Sequence, residues 1–166
     1  MPASSYSASP RCLARSRTHL ATASPRRPGR VLPRAARETG GALGLIEATV
    51  PPGGGPVAHA HLSGGEAFYL VSGELEFLNG DRTFVAGQGD FVYIPPGTRH
   101  RYKNIGVHSA KMIFLFTPGG LEEVFVRGGN EPRPGEPAPA WGPEKFGPLQ
   151  AVAEELGLQA EILPEP

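Results

Sequence analysis

A chain of 166 residues is long enough for one domain with a real core and too short for two ordinary ones. Its zero net charge hides an asymmetry: eight of the sixteen basic residues are arginines before Glu38, where no acidic residue occurs, so residues 38–166 carry a balance of minus eight and are poorly suited to nucleic acid. The single cysteine, Cys12, excludes an intrachain disulfide or thiolate metal site, and no apolar run approaches the roughly 20 residues that cross a bilayer.

Residues 1–37 are Ser, Ala, Pro and Arg with few large apolar side chains, too little to offset the entropy of ordering, and are expected to form a disordered tail. Val31 and Leu32, bounded by Pro28, Gly29 and Pro33, make at best a weak terminal strand. An Arg-rich, acid-free start resembles an organelle transit peptide. The Gly, Pro, Ala and Arg richness of the whole chain equally suits a GC-rich bacterial gene with a misplaced start. The bacterial reading is preferred, with a cytoplasmic location; organelle targeting is the alternative.

From Gly41 the pattern turns to β. Residues 42–50, 66–71, 74–78, 82–85, 90–94, 100–104 and 110–116 are short β-prone runs separated by Gly, Pro, Asn or Asp, and such spacing predicts a small antiparallel barrel or sandwich over 38–129. Asn79-Gly80-Asp81 reads as a hairpin turn. Thr117-Pro118 supplies an N-cap and a first helical proline for a short helix with Leu121, Val124 and Phe125 on one face, ended by Gly128 and Gly129. Residues 130–147 read as a Pro/Gly-rich linker, and 148–166 as a C-terminal helix and tail, with Leu149, Val152, Ala153 and Leu156 on one helix side and Gly157 as the stop.

The chemistry lies in four residues of the β region. His59 and His61 are two apart, so on an extended strand their rings point the same way. Glu66 follows closely, and His100 comes 39 residues after His61. Three neutral imidazoles and one carboxylate suit a single divalent transition metal (Fe, Ni, Mn, Co, Cu or Zn) with positions left open for water or substrate. His108 and His19 fit no such pattern and read as a loop and a tail residue. If Glu66 and His100 face inward, strand alternation takes Phe68, Leu70 and Tyr102 with them, and Met112 and Phe114 join these as candidate pocket residues.

The glycines and prolines around these residues add specificity. The first segment runs Gly53, five residues, His59, one, His61, four, Glu66, six, Gly73; the second runs Gly89, five, Pro95, one, Gly97, two, His100, three, Asn104, with fifteen residues (74–88) between them. Gly73, Gly89 and Gly97 stand where strands must reverse and positive φ is useful. The two strings resemble both sequence motifs of the cupin superfamily at every defining position. Residues 39–163 further resemble the small single-domain cupins grouped with quercetin 2,3-dioxygenase, through Gly40-Gly41-Ala42-Leu43-Gly44, Glu66-Ala67-Phe68-Tyr69 and Phe116-Thr117-Pro118-Gly119-Gly120 among other runs.

That resemblance implies an all-β double-stranded β-helix, or jelly-roll, barrel with a short helix after it and a C-terminal helix. It also implies a metal on His59, His61, Glu66 and His100, and a metal-dependent dioxygenase acting with dioxygen on a flavonol-like or other enol or phenol. Glu66 would be ligand at rest and general base when displaced. The alternatives are another metal-cupin enzyme, an isomerase or lyase, or a non-enzymatic small-molecule-binding cupin. An isomerase or lyase would need polar or cationic residues in the cavity to hold its substrate, and strand parity places Arg99 and Arg101 on the face opposite His100. Members of the group carry further strand sequence where this chain has its arginine-rich segment, so a homodimer is left open.

Overall fold

The computed structural model describes residues 35–130, 133 and 135–164. The expected tail, with Cys12 and His19, lies almost wholly outside the described residues, which open on a helical turn, α1 (Ala35–Glu38). The strands follow: β1 (Gly44–Val50), β2 (His59–His61), β3 (Gly65–Ser72), β4 (Glu74–Asn79), β5 (Arg82–Gly87), β6 (Phe91–Ile94), β7 (His100–Lys103) and β8 (Ala110–Thr117). After them come helices α2 (Glu122–Gly128) and α3 (Pro143–Glu155) and a last strand, β9 (Ala160–Ile162). Among the described residues no helix is long and apolar enough to cross a membrane.

All the pairings are antiparallel and form two sheets, one in the order β1-β8-β3-β6 and the other β5-β4-β7-β2-β9. This is the expected all-β jelly roll with helices after it. Alternation fills its interior: Phe68 and Leu70 on β3, Phe77 on β4, and Met112, Phe114 and Phe116 on β8 are all buried. Phe68 packs its ring 5.2 Å from Phe77 and 5.1 Å from Phe114, the latter edge to face. Asn79 pairs with Arg82 across Gly80-Asp81, and Gly80 takes the φ of 63° that such a turn requires. At Gly73, φ is 81° and a side-chain carbon would meet Ala110 Cα at 2.8 Å, so glycine is required there on both counts.

The helices depart from the sequence expectation. Thr117 does not cap α2, because β8 continues through it to pair with Gly65. The helix starts at Glu122 instead, and the Gly120 N–H just before it donates to Glu122 Oε2 at 2.6 Å. Helix α3 begins at Pro143 rather than Pro148. Pro143 fills the favourable first position, and Phe146 and Leu149 on either side of Pro148 pack with Val124 and Trp141, which holds the helix through the interior proline. Strand β9 was not expected: three exposed residues carry no burial pattern, and pairing with β2 alone makes them a strand.

Asn104 shows how the motif builds structure as well as chemistry. The residue is 1% exposed; its side-chain amide donates to the carbonyls of Val50 and His108, both at 2.8 Å, and its Oδ1 accepts from Gly106 N–H. Its backbone exchanges bonds with Gly53 and Gly54, tying the approach to β2 against the end of β7. Replacing Asn104 with alanine should cost about 2 to 3 kcal/mol in urea denaturation, since buried carbonyls lose their donors.

Candidate metal centre

Strand pairing sets the ligands in place. His59 stands directly opposite His100 in the β2–β7 ladder, and His61 follows on the same face of β2. Glu66 reaches them from the other sheet, where it lies between Ile94 of β6 and Phe116 of β8. The four side chains thus meet between the sheets, as the sequence predicts, with one ligand atom from each lying within 4.8 Å of the others. An ion with bonds of about 2.0 to 2.2 Å spaces its ligand atoms roughly 3 Å apart at right angles and about 4.4 Å apart when opposed. The observed span fits after shifts of a few tenths of an ångström.

The ring nitrogens are already sorted. His59 Nδ1 lies 2.9 Å from the Val57 carbonyl and His100 Nδ1 2.9 Å from the Thr98 carbonyl. A carbonyl only accepts, so each Nδ1 carries the proton, and each Nε2 is turned toward the centre. There His59 Nε2 faces His61 Nε2 at 3.2 Å, and Glu66 Oε2 lies 2.9 Å from His100 Nε2 and 3.5 Å from His61 Nε2. Three imidazole nitrogens and a carboxylate oxygen converging at such distances suit a shared cation.

Burial, with the neighbouring His100 and His61, lowers the His59 pKa to about 4, which keeps its ring neutral and able to ligate. At Glu66 burial works the other way, toward the neutral acid, but hydrogen bonds and charge from His100 and His61 outweigh it and bring the carboxyl down to about 2. Burial and the Glu66 charge push the Tyr102 hydroxyl well above its usual range, so it stays a neutral donor.

A cavity of about 220 Å³ opens from the four ligands. Of the expected pocket residues, Phe68, Tyr102 and Phe114 line it, whereas Leu70 and Met112, both 0% exposed, belong to the packed core and do not reach it. Sequence reasoning missed the opposite wall, where Leu121, Phe125, Trp141, Phe146 and Gln150 line the same space. The apolar spacing of α2 and α3 was visible, but nothing in it showed which barrel surface the helices cover. Among the described residues no lysine or arginine lines the cavity. Arg99 pairs with Asp81 and Arg101 with Glu76. His108 sits exposed in the β7–β8 loop, away from the centre.

Residues 46–116 match the family model described as Cupin domain. An uncharacterized protein of Methanocaldococcus jannaschii is 37% identical over 74 residues, which cover 45% of this chain and 59% of that protein. Quercetin 2,3-dioxygenase of Bacillus subtilis is 30% identical over 91 residues, 55% of this chain and 27% of that enzyme. This chain therefore spans less than two thirds of either relative. Among solved structures, a predicted oxalate decarboxylase from Thermotoga maritima superposes with a TM-score of 0.49 at 19% identity, covering 51% of this chain and 75% of that one.

The charge states predict an acid-sensitive fold. With its pKa lowered from 6.5 to about 4, folded His59 holds fewer protons than unfolded His59 between those values, so stability falls as pH drops through that window. Glu66, lowered from 4.5 to about 2, adds a further loss in its own lower window. Metal-stripped protein should lose on the order of 2 kcal/mol between pH 6.5 and 4. His59→Gln should flatten that limb in denaturant titrations repeated across pH.

Proposed function

Since the chain belongs to the cupin superfamily, we propose that it is a metal-dependent enzyme of the dioxygenase type, acting with dioxygen on a flavonol-like or other enol or phenol substrate. The observation that carries this reading is the pairing of a three-histidine, one-glutamate centre with an aromatic cavity that holds no cation among the described residues. A sugar phosphate or dicarboxylate would enter such a space with its charge uncompensated, whereas a planar, largely neutral ligand with one acidic hydroxyl would not. The partial similarity to a quercetin 2,3-dioxygenase supports the same substrate class.

A divalent transition metal bound here would supply Lewis acidity that lowers the pKa of the substrate hydroxyl. His59, His61 and His100 would hold it through Nε2. Glu66 has two roles open to it. With His100 and His61 donating to it, the carboxylate is too acidic to serve as a base. With an ion bound, those nitrogens would be its ligands and no longer donate to Glu66, whose carboxylate, when not coordinated, would be placed to take the substrate proton. Tyr102, held as the neutral phenol, can donate to a substrate oxygen, and Phe68 and Phe114 supply flat apolar walls.

The test combines metal analysis of purified protein with oxygen uptake over a panel of flavonols. Substituting His59 or His100 with alanine should abolish metal binding. Glu66→Gln should weaken it less and reduce turnover at least a hundredfold. A Glu66→Gln variant with full turnover would remove the general-base role and leave the metal site standing.

Binding can also be read without turnover. Trp141 is the only tryptophan of the chain and lines the cavity, so a flavonol seated there should quench its fluorescence in a saturable titration. Unchanged emission together with unchanged oxygen uptake would exclude flavonols as substrates.

A further inference from the structure

The strand that carries two of the four candidate ligands is short. β2 has three residues, and its ladder to β7 consists of the single pair His59–His100. Beyond that pair, the barrel side holds it through the Gly97 N–H bond to the His61 carbonyl at 2.8 Å and through the bonds of Gly53 and Gly54 to Asn104. The other edge of β2 is better held. Three consecutive pairs join it to β9, His59 with Ile162, Ala60 with Glu161 and His61 with Ala160.

Hydrogen bonds extend that ladder beyond both ends, from Leu62 N–H to the Gln159 carbonyl at 3.0 Å and from Leu163 N–H to the Ala58 carbonyl at 2.9 Å. Beyond β9 the chain is fastened again, since Arg99 Nη1 donates to the Pro164 carbonyl at 3.2 Å. Upstream, Leu149 and Ala153 of α3 are buried against Val124 of α2. β9 is therefore a tethered strip, fixed at both ends, lying along the metal-ligand strand. Its residues fall outside the span matched by the family model, 46–116.

We propose that β9 is a positioning element of the metal centre, fixing the spacing and direction of His59 and His61 through its backbone ladder with β2. The inference rests on the reading of His59, His61, Glu66 and His100 as a metal site. It adds that the affinity of that site is set in part by residues 159–163, none of which touches the ion. Ligand precision depends on the support behind the ligands: a shift of about 1 Å in either imidazole would take it out of bonding range.

Ladder parity supplies a clean test. The bonds at 62–159 and 58–163 place Ala60 and Glu161 in the hydrogen-bonded phase, with the Glu161 N–H facing the Ala60 carbonyl. The Glu161 side chain is exposed. Glu161→Pro removes that donor, Glu161→Ala keeps it, and Glu161→Gly keeps it while loosening the strand.

In competition titrations with Co(II) and a chelator, Glu161→Pro should weaken binding at least tenfold and Glu161→Gly two- to fivefold, with Glu161→Ala matching the wild type. Hydrogen exchange should quicken at the Leu62 amide in the proline variant and stay slow on β3 and β8 in all three. Wild-type affinity and Leu62 protection in the proline variant would overturn the proposal, as would an alanine variant as weak as the proline one. If the wild type takes up no Co(II), the metal reading itself fails, and exchange at Leu62 still decides whether β9 holds β2.

Discussion

His59 and His100 face each other across a two-stranded ladder only one pair long, and the site can form only if that pair stays in register. A slip of one residue would turn His59 and His61 to the outer face and bring Ala60 to the interior, because side chains alternate with a period of two. Much of the surrounding structure serves to prevent that slip. Asn104 pins the loop that leads into β2, the Gly97 N–H bonds the His61 carbonyl at 2.8 Å, and β9 lies along the free edge. The motif glycines and asparagine thus act on the metal centre through the backbone.

The same constraint explains the electrostatics. Glu66 and His100 are 5% and 2% exposed, deep enough that an isolated charge would be costly. Each meets a partner of opposite chemistry, and the two Nδ1–carbonyl bonds leave the inner nitrogens turned to one another and to Glu66. A site of this kind is capable of holding a cation within its polar network. The apolar walls beyond it then raise the strength of every polar interaction at the centre by excluding water.

The barrel and the convergence of His59, His61, Glu66 and His100 were legible in the sequence because both rest on local rules. Glu66, Phe68 and Leu70 alternate on one strand, Asn79-Gly80-Asp81 names its own turn, and His59-Ala60-His61 needs only extension to share a face. The C-terminal half of the site was not legible, for a physical reason. Helix α3 and β9 are held in place by partners more than twenty residues away in the chain, and their own sequence fits several fates: the interior Pro148 argues for a later helix start, and Ala160-Glu161-Ile162 is too short to read as a strand. Leu70 and Met112 failed as pocket residues on similar grounds. Inward direction could be inferred from parity, but which inward side chains meet the cavity and which meet one another depends on depth along the strand, and parity carries no depth.

Depth also separates the two halves of the cavity in origin. The cluster of His59, His61, Glu66 and His100 and the wall of Phe68, Tyr102 and Phe114 come from strands within the cupin-matched span, while Leu121, Phe125, Trp141 and Phe146 come from beyond it. Ligand chemistry is therefore set by the first group and ligand shape by the second. Trp141 is fixed on its far side by its indole N–H bond to Asn130 at 2.9 Å, which orients the ring and limits how far that wall can move. With the four clustered side chains held by β2, β3 and β7, the C-terminal segment can vary the space above them without disturbing the cluster, so long as β9 remains in register. That coupling means changes of cavity shape through α3 must keep the path from Leu149 to Ile162 intact, because the same stretch of chain lines the cavity and pairs with the strand that carries His59 and His61.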